Sequence, residues 1–157
     1  MDRKHFLRLA FSAVATAGLN LFSRRVRAAT EVRVAAPVKP WAKVEFTYAG
    51  PARDFPGVAV RLPEKSGGGL CAVCRICPHQ GCVFGYETDY ATVSDIVGID
   101  LDHPVFFCRC HMSTFDPVGQ GKVLSGPSQR PPWRFTVREE GGEMVVSDIE
   151  AGAGEIR

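Results

Sequence analysis

Two short stretches, CPHQGC at residues 77–82 and CRCH at residues 108–111, decide the fold, because they hold four of the six cysteines and two of the four histidines. Cys77 and His79 have one residue between them, Cys108 and His111 two, so each pair fits a single tight loop that aims both side chains at one metal centre. That gives two sulfurs and two imidazole nitrogens. Each stretch carries one further cysteine, Cys82 and Cys110, and a bridge between these would tie the two loops together over the centre. Four ligands and one clasp are expected.

The flanking sequence reads as scaffold. After Thr30 it consists of short apolar runs separated by Pro and Gly, the pattern of an all-β domain. Strands are expected at 32–34, 44–48, 58–62, 70–75, 105–107, 122–124, 135–138 and 144–147, with no helical pattern among them. Glu140-Gly141-Gly142-Glu143 reads as a tight hairpin loop that pairs the last two strands antiparallel. Residues 83–107 hold five acidic side chains and no lysine or arginine. They are expected to form a solvated hairpin joining the two loops, and His103 within them a loop residue that is not a ligand. Cys71 and Cys74 have two residues between them on one strand, which places them on opposite faces as buried free thiols.

With 157 residues, 45% of them apolar, the chain is long enough for one domain and a tail, and such a domain buries roughly two-thirds of its unfolded surface. The formal charge of +2 hides an asymmetry. Residues 1–29 carry six basic side chains (Arg3, Lys4, Arg8, Arg24, Arg25, Arg27) against Asp2, so the remainder has 13 basic and 16 acidic groups. A mildly acidic domain argues against nucleic acid as a partner. The basic head, followed by the largely apolar run from Leu9 to Phe22 and by small residues around Ala28, reads as an N-terminal apolar helix that serves as an export signal or membrane anchor. The expected division is 1–29 as signal or anchor and 30–157 as the folded domain.

Two thiolates and two imidazoles suit either a closed tetrahedral zinc site or the two irons of a 2Fe-2S centre in which histidines replace cysteines on one iron. Structural zinc sites favour pairs with two to four residues between ligands. Cys-x-His followed by Cys-x-x-His, each with an added cysteine, resembles the Rieske 2Fe-2S family, and CPHQGC and CRCHMSTFD match it closely, with Gly81 before the clasp cysteine and Ser113 two residues past the last histidine.

That resemblance implies an antiparallel Rieske-type β sandwich with a cluster-binding subdomain. It implies that Cys77 and Cys108 hold the inner iron, that His79 and His111 hold the outer one, and that Cys82 and Cys110 form a disulfide. Ser113 and Phe115 then tune the cluster, and Gly126-Pro127 resembles the loop that covers its third side. Phe115 stands where high-potential relatives commonly have tyrosine, and Gln80 where the quinol-oxidising branch usually has leucine. Residues 3–7 (RKHFL) resemble the twin-arginine export motif with lysine in the second basic place. The implied function is one-electron transfer without catalytic residues, as a subunit of a larger respiratory oxidoreductase of the cytochrome bc type, with quinol or cytochrome c as redox partners. The alternative is the small Rieske subunit of a periplasmic molybdenum oxidase such as arsenite oxidase. Either role places the chain on the periplasmic side of the bacterial cytoplasmic membrane.

Overall fold

The structure, a computed structural model, describes residues 31–154. The expected export signal or anchor at 1–29 lies outside them. Among the described residues no helix is long and apolar enough to cross a membrane. Among the described residues ten strands form three antiparallel sheets: β1 (Val32–Ala35), β2 (Lys43–Ala49), β3 (Asp54–Arg61), β4 (Leu70–Cys74), β5 (Gly85–Glu87), β6 (Val105–Cys108), β7 (Ser113–Asp116), β8 (Lys122–Ser125), β9 (Phe135–Glu140) and β10 (Glu143–Ile149). Their orders are β1-β10-β9, β2-β3-β4 and β5-β6-β7-β8.

The β2-β3-β4 sheet is the middle layer. Successive side chains on a strand point to opposite faces, and here both faces are covered. Val58, Val60, Cys71 and Val73 share a core with Phe84, Phe106 and Phe115. Ala59, Ala72 and Cys74 share another with Phe46, Tyr48, Trp133 and Met144. Cys71 and Cys74 are therefore free thiols on opposite faces, both fully buried. Burial pushes the Cys71 thiol up to about 12 and also raises that of Cys74, so neither forms the nucleophilic thiolate at neutral pH. The β9-β10 hairpin closes through Gly141 and Gly142, both at positive φ, with Glu140 paired to Glu143. Two left-handed residues in a two-residue loop match the twist of the strands they join.

The expectation of a solvated hairpin across residues 83–107, without helix, is corrected by the structure. β5 is followed by helix α1 (Tyr90–Val97), which then leads into β6. Asp89 caps the helix by accepting a bond from the Thr92 amide at 3.2 Å, and Gly98 ends it at a φ of 69°. Val93, with Val97 and Leu101, packs on Val105 and Phe107 of β6, whose other face places Phe106 and Cys108 in the core beneath the loops. Two more of the acidic residues are used locally, Glu87 in an ion pair with Arg109 at 2.8 Å and Asp102 against His103 at 2.5 Å. β5 and β7 are further additions to the expected strands.

His103 ties α1's connection to the sheet. Its Nε2 meets Asp116 Oδ1 at 2.9 Å, its Nδ1 meets Asp102, and its ring stacks on Trp41 with centroids 5.3 Å apart. Burial alone would lower its pKa, but the bonds to Asp116 and Asp102 outweigh it and the net shift is upward. A raised pKa in the folded state means a contribution to stability that is full below the ordinary histidine value of about 6.5 and is lost as pH rises through the folded value. Denaturant midpoints measured across that range should therefore fall more steeply with rising pH in the parent chain than in His103→Gln. Parallel pH profiles would show that the two carboxylates do not hold the imidazolium.

Candidate metal centre

Two loops at one end of the β5-β8 sheet bring the cysteine and histidine stretches together. The first is closed by its own backbone: the Cys77 amide donates to the Cys82 carbonyl at 2.7 Å, the Gly81 amide donates to the Cys77 carbonyl at 2.9 Å, and Ile76 bridges Val83 across the base. The second is the turn between β6 and β7, closed by the Met112 amide donating to the Cys108 carbonyl at 2.9 Å, with Cys108 paired to Ser113. Met112 takes a φ of 62°, a left-handed conformation that few side-chain-bearing residues adopt. A disulfide between Cys82 and Cys110 joins the loops, with Cα atoms 6.6 Å apart.

The four donors come as a sulfur pair and an imidazole pair. Cys77 and Cys108 are 1% and 2% exposed free thiols at the floor of the site. Burial raises the Cys77 thiol and the adjacent Cys108 thiol raises it further, while the amides of His79 and Gln80 act the other way. His79 and His111 sit outside, the first half-buried and the second exposed, with ring centroids 4.8 Å apart and planes nearly perpendicular. This division suits two irons, with a buried thiolate pair on one and a surface imidazole pair on the other. The sulfurs of Cys82, Cys108 and Cys110 also lie within 4.8 Å of one another. They do not make a second metal site, because two of them are consumed in the disulfide.

The remaining expected residues frame the second loop. Ser113 and Phe115, both fully buried, are two residues apart on β7 and share its core-facing side, opposite Cys108 and Phe106. The Phe115 ring rests 5.4 Å from that of Phe84, in the core that contains Cys77 and Cys108. Gly126 has a φ of 89°, and a Cβ there would lie 2.5 Å from Ser113 Cα and 2.7 Å from Met112 O. The 126–128 turn therefore presses directly on the second loop. One contact escaped the sequence reading: the buried Ser128 amide donates to Ser113 Oγ at 3.2 Å. That bond occupies an acceptor lone pair of the hydroxyl and leaves its proton available for another partner.

A phenolic hydroxyl at position 115 would add a donor beside the sulfurs, and a bond donated to a ligand sulfur favours the more negative, reduced state of a metal centre. Phe115→Tyr should raise the reduction potential, and Ser113→Ala should lower it. Film voltammetry that finds the Phe115→Tyr potential unchanged or lowered, with metal content intact, would show that the ring does not face the sulfurs.

A family model described as the Rieske [2Fe-2S] domain matches residues 40–146. The cytochrome b6-f complex iron-sulfur subunit of Chlorobaculum tepidum is 28% identical over 123 residues, covering 73% of this chain and 60% of that protein. The cytochrome bc1 complex Rieske iron-sulfur subunit of Streptomyces lividans is 30% identical over 96 residues, covering 58% and 48%. A Rieske subunit assigned to a respiratory nitrate reductase in Haloferax mediterranei is 30% identical over 88 residues, covering 55% and 34%. The chain thus spans 60% or less of the length of each of these relatives.

Proposed function

Because the chain belongs to the Rieske [2Fe-2S] domain family and its cofactor is a 2Fe-2S cluster, we propose that it moves single electrons as a subunit of a quinol:cytochrome c reductase-type respiratory complex. Cys77 and Cys108 hold the inner iron, and His79 and His111 the outer one. The observation that carries the reading is the layering of the site, with two buried thiols beneath two imidazoles that face each other at the surface. When bound, the cluster supplies a one-electron store, and replacing two thiolates by neutral imidazoles raises its potential, to about −150 to +300 mV for such centres as a class.

The protein's own contribution is positional. The disulfide and the 126–128 turn fix the two loops against each other, and the buried floor excludes water from the sulfurs. Ser113 offers a hydroxyl proton towards the site. Phe115 offers none, which places the potential below that of relatives with tyrosine there. The exposed His111 and half-buried His79 leave the imidazole side open to a redox partner and to solvent protons. Residues 1–29 act as export signal or anchor, with passage by the twin-arginine route to the periplasmic side of the cytoplasmic membrane. A protein that takes up iron inside the cell and closes a disulfide outside has to cross folded.

A second reading is the small Rieske subunit of a periplasmic molybdenum oxidase; the Haloferax relative, named as a subunit of a respiratory nitrate reductase, shows that such subunits are assigned to more than one kind of complex. Purification of the complex from membranes separates the two. Reduction of the cluster by quinol, with a cytochrome as oxidant, supports the first; a large molybdenum subunit that reduces the cluster without quinol supports the second.

A further inference from the structure

The Ser113 side chain is fully buried, so water does not reach its hydroxyl, and its oxygen accepts from the Ser128 amide at 3.2 Å. Among the described residues no atom accepts its proton. A buried hydroxyl proton without an acceptor costs free energy. Ser113 is the direct cross-strand partner of Cys108, so the two side chains leave the sheet on one face, with Cβ atoms about 4.5–5.5 Å apart in such pairs. The unmatched proton therefore belongs beside one of the proposed ligand sulfurs, where a bound cluster would supply its acceptor.

A hydroxyl turns to suit its surroundings until its oxygen is committed. The Ser128 amide makes that commitment, because an N–H aimed at the oxygen keeps the hydroxyl proton away from the 126–128 turn. We infer that the Ser128 backbone amide is a positioning group for the redox centre: by donating to Ser113 Oγ it fixes the direction in which that hydroxyl offers its proton, and so sets part of the reduction potential.

The turn holds this amide from both sides. Gly126 approaches so closely that a Cβ there would lie 2.5 Å from Ser113 Cα and 2.7 Å from Ser113 N. Beyond the amide, Ser128 Oγ donates to the Arg130 carbonyl at 2.9 Å, and the Arg130 guanidinium lies over the fully buried Trp133 ring, 4.7 Å from its centroid. A bond donated to a sulfur of the centre favours its reduced state, so a hydroxyl freed to turn elsewhere lowers the potential. This inference rests on the reading that Cys77, His79, Cys108 and His111 hold a 2Fe-2S cluster.

Film voltammetry on four full-length proteins tests it: the parent, Ser113→Ala, Ser128→Pro and the double variant. Proline removes the amide proton and leaves Ser113 in place. Ser128→Pro should lower the potential by no more than Ser113→Ala does, and the double variant should match Ser113→Ala alone, because the amide acts only through that hydroxyl. A turn that merely holds the loop or excludes water would add its shift to that of Ser113→Ala. Additive shifts overturn the inference, as does an unchanged potential in Ser128→Pro. Where Ser128→Pro fails to hold a cluster, deuterium exchange in Ser113→Ala decides. There the Ser128 amide has lost its acceptor and should exchange about fivefold faster than in the parent, the protection expected of one hydrogen bond. Equal rates overturn the inference. Parent protein without iron and sulfide removes the cluster reading and this inference with it, whereas a coloured parent with additive shifts overturns this inference alone.

Discussion

Serine at Cys77 or Cys108, or alanine at His79 or His111, abolishes the visible absorption and the paramagnetic resonance signal of the purified protein. The expected loss is complete because the four donors form two separate pairs, and neither pair has a spare. A serine hydroxyl is a far weaker acid than a thiol, and burial at 1–2% exposure, which already raises the Cys77 thiol, opposes its ionisation further. Alanine at either histidine leaves an iron facing solvent on one side. No described histidine replaces it, since His103 is held between Asp102 and Asp116. Any one of the four variants with a normal signal is not missing a ligand.

The second large effect is expected at Gly126. Alanine there must adopt a φ of 89° and place its Cβ 2.5 Å from the Ser113 backbone. Left-handed backbone costs a residue with a side chain about 1–2 kcal/mol, and forcing extra volume into a packed contact costs about 1–3 kcal/mol more. The neighbour is main chain and cannot rotate aside, so the second loop must move. Gly126→Ala should lower the denaturant midpoint and release iron faster under chelation. An unchanged midpoint with an unchanged release rate would mean that the 126–128 turn does not brace the site.

The parts of this architecture that are legible in the sequence are those encoded by side-chain type at short range. The spacing of Cys77, His79, Cys108 and His111 is of this kind. So is the offset between Cys71 and Cys74, which puts them in different cores by strand geometry alone. Helix α1 was missed for a physical reason: it has only eight residues, so although Val93 and Val97 repeat at helical spacing the run covers two turns and is too short to stand out, and Val93 alone is fully buried. Its signal lay at its ends, in Asp89 three residues before Thr92 and in Gly98. β7, with the sequence STFD, has weak strand propensity, and it becomes a strand because β6 pairs with it and the core closes over Phe115. The bond from the Ser128 amide to Ser113 leaves no trace in composition, since its donor is backbone and lies 15 residues away.

The central claim is that the buried sulfurs and the surface imidazoles divide one iron-sulfur cluster between them. It is tested most directly by paramagnetic resonance of the reduced full-length protein carrying 15N-histidine, alongside iron and acid-labile sulfide analysis. The account predicts equal iron and sulfide, and hyperfine coupling from two histidine nitrogens, those of His79 and His111. Iron-free protein that binds zinc at the same residues, or an iron-sulfur signal without nitrogen coupling, would contradict it.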